Sequence, residues 1–157
     1  MRYRHSLTGL IYTYDSFGRV TKVEEATYNA STGAMQVVLG GSSVTSTYDD
    51  NDRGVLSAIT TATASYSFVY DNFGNMKKIT VNGYTLSTNT YASNNGNLTK
   101  TEYGNDDSVN YTYDNVDRIT KMQYNDDTGA KAVFTYTYNA NGDLSSHTDS
   151  INGETHV

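Results

Sequence analysis

Residues 11–23 read IYTYDSFGRVTKV, and the pattern returns as SFVYDNFGNMKKI at 67–79 and as NYTYDNVDRITKM at 110–122. A looser copy, FTYTYNANGDLSSH, occupies 134–147, and degraded copies begin at Ser46 (STYDDNDRGVLSAI) and Asn89 (NTYASNNGNLTKT). The second tyrosine of each copy falls at Tyr14, Tyr48, Tyr70, Tyr91, Tyr113 and Tyr138. After a longer first interval that implies an insertion, the period is roughly 22 residues, which marks a repeat architecture. That is too short for a tetratricopeptide or ankyrin helix pair, and the leucine ladder of a leucine-rich repeat is missing. Residues 1–157 therefore read as a single array of about six repeats.

Each copy parses as two strands and two turns. The first strand carries aromatics two apart, Tyr12/Tyr14, Phe68/Tyr70, Tyr111/Tyr113 and Tyr136/Tyr138, and a period of two puts each pair on one face. A turn of the form Asp-x-x-Gly follows, Asp15 to Gly18 and Asp71 to Gly74. The aspartate can accept hydrogen bonds from the turn's own amides, and the glycine tolerates a positive φ. Asn139 to Gly142 repeats the scheme with Asn first, Gly96 ends the degraded turn after Tyr91, and Asp114 to Asp117 ends in Asp, a weaker choice.

The second strand (Val20–Val23, Met76–Ile79, Leu98–Thr101, Ile119–Met122) has apolar positions three apart. Strict pleating sends these to opposite faces. Either both faces are partly covered or a bulge shifts the register; the sequence allows both. A second turn then leads to the next tyrosine strand. Asn82-Gly83 is its strongest case, because Asn-Gly favours the type I′ hairpin turn. Thr32-Gly33, Gly104 to Asp107, Asp126 to Gly129 and Asn152-Gly153 hold the matching places. The fold class expected is all-β: tandem hairpins in a curved antiparallel strip of roughly a dozen strands, with tyrosines in line across it.

Composition agrees. The chain has 15 Tyr and no Trp or Pro, with 36% apolar residues and a mean hydropathy of −0.60. Tyrosine and threonine suit a pleated, half-buried surface. The net charge of −6 lacks the basic footprint of nucleic-acid binding, and Lys77-Lys78 reads as a solvated strand end. No cysteine is present, which removes disulfides, thiolate nucleophiles and Cys-ligated zinc. No apolar run approaches the roughly 20 residues of a membrane span, and the first residues do not lead into a signal-peptide segment.

These residues resemble the YD (Rhs) repeat, whose signature is Tyr-x-Tyr-Asp-x-x-Gly-Arg-Leu-Thr. Tyr12, Tyr14, Asp15, Gly18, Arg19, Val20 and Thr21 fit it almost position for position, and 110–122 fits except at Asp117. The resemblance implies a β-strip spiralling into a hollow shell. In Rhs proteins and insecticidal toxin complexes such a shell encloses a toxin; teneurins and wall-associated proteins carry similar repeats. It implies a secreted or cell-surface location, a bacterial parent, and adjacent repeats or an enclosed toxin polypeptide as partners. With no proline and no toxin domain, the chain reads as an excised piece of a larger protein, since the next tyrosine would fall at about position 160. Its unpaired edges should then recruit other strands, favouring self-association.

Sites for chemistry are few. Asp49 to Gly54 has calcium-loop spacing at Asp50, Asp52 and Gly54 but lacks the distal Glu, so a distorted turn is the reading. Asp106-Asp107 and Asp126-Asp127 read as solvated turn acids. His5, His147 and His156 form no HExxH pattern, and a Ser/His/Asp triad is defined by geometry rather than by composition. Asn29, Asn97 and Asn110 begin glycosylation-type triplets, as chance provides in so Asn-rich a chain. No catalytic residue, metal ligand or cofactor is assigned. The function expected is a non-catalytic wall segment, with Tyr12, Tyr14, Tyr48, Tyr70, Tyr91, Tyr113 and Tyr138 as its repeat residues beside the turn residues Asp15, Gly18, Asp71, Gly74, Gly96, Asp114 and Gly142. The alternative is a carbohydrate-binding surface or adhesin module, in which exposed tyrosines stack on glycans.

Overall fold

A computed structural model describes residues 7–49, 54–151 and 154–156. Among these, every regular element is a β-strand and every pairing is antiparallel. The strands are β1 (Thr8–Tyr14), β2 (Val20–Asn29), β3 (Ala34–Val37), β4 (Ser43–Asp49), β5 (Val55–Thr61), β6 (Ser65–Tyr70) and β7 (Met76–Val81). They continue as β8 (Tyr84–Tyr91), β9 (Leu98–Tyr103), β10 (Ser108–Tyr113), β11 (Ile119–Asp126), β12 (Gly129–Tyr138), β13 (Leu144–Asp149) and β14 (Glu154–His156). The all-β hairpin reading is correct, with fourteen strands where about a dozen were expected.

The chain gathers into two compact units, one of Met1–Val69 with Val81–Gly83, the other of Tyr70–Thr80 with Tyr84–Val157. In the first, β1, β2, β4, β5 and β6 follow one another in hydrogen-bonded order and β3 pairs with β2 off that path. In the second, strands β7 to β14 run in chain order. The longer first interval is explained inside the first unit. Strand β2 is long enough to pair twice, its far half with β3 (Ala26↔Val37 to Asn29↔Ala34) and its near half with β4 (Lys22↔Thr45 to Glu24↔Ser43). The insertion is thus a hairpin extension. Its tip closes where Gly33, at φ 71°, donates to Asn29 O at 2.8 Å.

A bulge settles the three-apart puzzle. In β1–β2, Thr13 faces Lys22 but Tyr14 faces Val20, so Thr21 is the extra residue. The same slip makes Ser57, Thr99, Thr120 and Ser145 extra in the β4–β5, β8–β9, β10–β11 and β12–β13 pairs. Apolar residues three apart on one strand therefore meet residues two apart on the other. Val20 and Val23 oppose Tyr14 and Tyr12, and Ile119 and Met122 oppose Tyr113 and Tyr111. At four of these bulges the extra residue's hydroxyl caps a carbonyl across the ladder: Thr21 to Thr13 O (3.2 Å), Ser57 to Thr47 O (3.1 Å), Thr99 to Thr90 O (3.1 Å) and Thr120 to Thr112 O (3.2 Å). A bulge frees one ladder group, and Ser or Thr at that position provides it with a partner.

Burial is shallow. Among the described residues only Ala26, Ala132 and Thr101 are buried, and most strand residues are half-buried. Within each unit the strand ladders and side-chain bonds between hairpins carry what a core carries elsewhere.

Candidate functional site

The feature that recurs within each unit is a clasp joining one hairpin to the next. It begins at the turn. Asp15 Oδ1 accepts from Phe17 N and Arg19 N, both at 2.9 Å, and Asp15 Oδ2 from Arg19 Nε at 2.6 Å. Its carbonyl accepts Gly18 N at 3.1 Å, and its own N–H donates to Arg19 O at 3.0 Å. The turn therefore closes on its fifth residue, one beyond the Asp-x-x-Gly read from the sequence. Asp114 does the same with Val116 N (3.0 Å), Arg118 N (3.0 Å) and Arg118 Nε (2.7 Å). Asp71 holds Phe73 N and Asn75 N at 2.9 Å, with Asn75 Nδ2 at 3.1 Å in place of a guanidinium. At Asn139 the polarity reverses, and its Nδ2 donates to Asp143 Oδ2 at 3.2 Å.

Positive φ sits where the sequence asks for it, at Gly18 (80°), Gly74 (89°), Gly96 (76°) and Gly142 (92°). Asp117 takes this position at 64°, a conformation that Asp adopts more readily than most residues. It has a compensation the sequence did not reveal. Its Oδ1 accepts from Asn95 Nδ2 at 2.6 Å and Asn97 Nδ2 at 2.7 Å, tying two successive turns together.

The second tyrosine completes the clasp. Tyr48 donates to Val20 O at 3.0 Å, Tyr91 to Met76 O at 2.9 Å, Tyr113 to Leu98 O at 2.8 Å and Tyr138 to Ile119 O at 2.7 Å. Each acceptor is the residue that opens the second strand of the hairpin before. The turn arginine covers the same ring, with Arg19 Cζ 4.4 Å from the Tyr48 centroid and Arg118 Cζ 4.3 Å from that of Tyr138. Arg19 also lies 4.9 Å from the Phe17 centroid and donates to Gly54 O at 3.3 Å. Tyr48, Tyr70, Tyr91, Tyr113 and Tyr138 are half-buried. Tyr12 and Tyr14, 49% and 57% exposed, stack on each other with centroids 6.5 Å apart and planes at 27°.

Charge follows this geometry. Burial raises the Asp15 and Asp71 pKa values, but the bonds from Arg19 and from Asn75 and Phe73 outweigh it and hold both below 3.8. At Asp114 the Arg118 amide is the main cause of the same lowering. Desolvation, with Tyr111 adding to it, raises the Tyr113 phenol above its ordinary value.

Elsewhere, Asp107 is more than a solvated turn acid. It is half-buried and accepts a short hydrogen bond from Tyr124 OH, which raises the Tyr124 phenol. Asp126 is held by Thr128 and by Lys131 Nζ at 3.3 Å, lowering its pKa. Asn82 and Gly83 (φ 49° and 85°) form the turn expected of Asn-Gly. Of the calcium-like run, residues 50–53 lie outside the described residues, as do Asn152-Gly153 and His5; Gly54 N donates to Asp49 O at 3.0 Å. Among the described residues no three His, Asp or Glu side chains gather as a metal-ligand group, and no helix is long and apolar enough to cross a membrane. Sequence reasoning missed the tyrosine rings that Arg19 and Arg118 cover and the carbonyls that the tyrosine hydroxyls reach, since these lie on neighbouring hairpins.

No known family profile and no curated protein matches the chain. Solved structures do. The fold is similar to a chain of the Photorhabdus luminescens Tc holotoxin pore, with a TM-score of 0.68 and 19% identity over 92% of this chain and 8% of that one. It is also similar to a chain of a TcdB2-TccC3-TEV structure, with a TM-score of 0.67 and 19% identity over 91% of this chain and 8% of the other. A TcdB2-TccC3-Cdc42 structure gives a TM-score of 0.66 at 19% identity, covering 87% and 7%. The present chain thus has the fold of a small part of each of these long chains.

Proposed function

We propose that this chain is a non-catalytic wall segment of a YD/Rhs-repeat shell, belonging to an exported bacterial protein and enclosing a toxin polypeptide. The observation that carries this reading is how the repeated residues are used. Asp15, Arg19, Asp114 and Arg118 and the second tyrosines Tyr48, Tyr91, Tyr113 and Tyr138 are engaged in bonds within a turn or from one hairpin to the next, as a wall requires and an active site does not. The similarity in fold to parts of the Tc toxin chains supports the same reading.

Limited proteolysis tests enclosure on the protein expressed from its natural gene. A polypeptide contiguous with these repeats should resist protease, and should become cleavable once Tyr113→Ala and Tyr138→Ala loosen the wall. Cleavage at the same rate with and without those changes overturns the proposal.

A second reading, glycan binding, draws on the exposed pair Tyr12 and Tyr14. Aromatic faces held side by side can stack on sugar rings. It predicts saturable glycan binding that Tyr12→Ala abolishes; a glycan array without signal removes it.

A further inference from the structure

Three Asn-Gly pairs lie among the described residues, Asn82-Gly83, Asn95-Gly96 and Asn141-Gly142, all exposed. As dipeptides they are equivalent, and the structure separates them. At the last two the glycine N–H is engaged within its turn, Gly96 N donating to Ala92 O at 2.9 Å and Gly142 N to Asn139 O at 3.0 Å. The Asn95 side chain is held as well. Its Nδ2 donates to Asp117 Oδ1 at 2.6 Å and its Oδ1 accepts Asn97 N at 3.2 Å. Asn82 is bonded differently. Its Oδ1 accepts Ser65 N at 2.8 Å, across 17 residues of chain, and its own N–H donates to Ser65 O at 2.7 Å. Its Nδ2 and the Gly83 N–H have no partner among the described residues. Gly83 sits at a φ of 85° with open space where a side chain would be.

We propose that Asn82 is a site of spontaneous covalent modification, at which the Gly83 nitrogen closes on the side-chain amide to form a succinimide. The reaction needs only water and hydroxide. Hydroxide takes the Gly83 N–H proton, the nitrogen attacks Asn82 Cγ, and the new N–C bond pushes an electron pair onto Oδ1. When that oxyanion collapses, the Cγ–Nδ2 bond breaks and Nδ2 leaves as ammonia, taking a proton from water and restoring the hydroxide. Water then opens the ring at either carbonyl, leaving aspartate or isoaspartate. Each group at Asn82 favours a step. An N–H without an acceptor meets hydroxide with no hydrogen bond to break first. A donor held about 2.7–3.1 Å from an oxygen that gains negative charge stabilises the transition state, and Ser65 N is so placed on Oδ1. The unbonded Nδ2 leaves freely, whereas that of Asn95 is tied to Asp117. Glycine as the next residue puts no side chain in the way of ring closure. Isoaspartate routes the main chain through the former side chain and adds one carbon to it, so the turn lengthens and the carbonyl on Ser65 N is displaced. This inference stands apart from toxin enclosure, since it concerns the turn alone.

The test is incubation of the folded protein at mildly alkaline pH, with each site read by peptide mapping for the mass gain of amide-to-acid conversion and by enzymatic methylation of isoaspartate. Asn82 should convert about tenfold faster than Asn95 or Asn141, at a rate proportional to hydroxide, and Asn82→Gln should remove the signal at that site. In urea the three sites should converge, because folded-state bonding is what separates them. As isoaspartate accumulates, the Ser65 amide should lose its protection from hydrogen exchange. Asn82→Asp, which keeps an acceptor and the chain length, should retain that protection. Equal rates at the three sites in the folded protein, faster conversion at Asn95 or Asn141, or an undiminished lead for Asn82 in urea each overturns the proposal.

Discussion

Tyr113→Phe isolates the inter-hairpin bond from ring packing. The change deletes one atom, the hydroxyl that donates to Leu98 O at 2.8 Å across 15 residues of chain. The ring, half-buried against the preceding hairpin, stays. An intramolecular hydrogen bond contributes about 0.5–1.5 kcal/mol net, and here the deserted carbonyl is only partly shielded from water, so we expect about 1 kcal/mol. For a chain of this length that is roughly 2–4 °C in melting temperature. Tyr113→Ala removes the ring as well, and should cost two to three times as much, about 2–3 kcal/mol, since a half-buried aromatic contributes less than the ~3–5 kcal/mol of a fully buried one. Urea denaturation followed by far-UV circular dichroism should show the midpoint falling for Tyr113→Phe with the slope unchanged. Tyr14→Phe is the control, as that ring is largely exposed on β1, and it should lie within about 0.5 kcal/mol of wild type. If Tyr113→Phe matches the control, the hydroxyl does not hold the hairpins together and the clasp is wrong.

Three further outcomes follow from the turns and bulges. Asp15, Asp71 and Asp114 have folded pKa values below 3.8, so their contribution is present above that value and lost as pH falls through the depressed folded values. Melting temperature measured from pH 6 to pH 2 should therefore drop below about pH 4, and less steeply in Asp114→Asn, which keeps an acceptor as Asn139 does. Asp117→Ala loses the bonds from Asn95 and Asn97 while keeping the positive φ; thermal melts should show a fall of roughly 2–4 °C. In Asp117→Gly, relief of about 1 kcal/mol at that φ offsets the lost bonds, leaving the midpoint nearly unchanged. Thr120→Val removes the hydroxyl at the bulge but keeps its β-branched shape; a loss of about 0.5–1 kcal/mol by denaturant titration would confirm that the bulge residue is chosen for its oxygen, and no loss would refute it.

The sequence by itself determined the strand and turn alternation, the aromatic pairs at period two and the aspartate-led bends. Each rests on forces acting within about five residues: side-chain alternation along a strand, and an Asp oxygen meeting amides two and four residues on. Even so, the fifth member of the turn, Arg19 or Arg118, carried no local signal of its double duty. Tertiary structure alone decided between a bulge and two covered faces, because the three-apart apolar pattern of Val20 and Val23 becomes intelligible only when paired with Tyr14 and Tyr12. It alone decided where the tyrosine hydroxyls end, since Val20, Met76, Leu98 and Ile119 become their acceptors through the register of one hairpin against another. That register depends on loop length and bulge position summed over both hairpins, and no single stretch of sequence contains it.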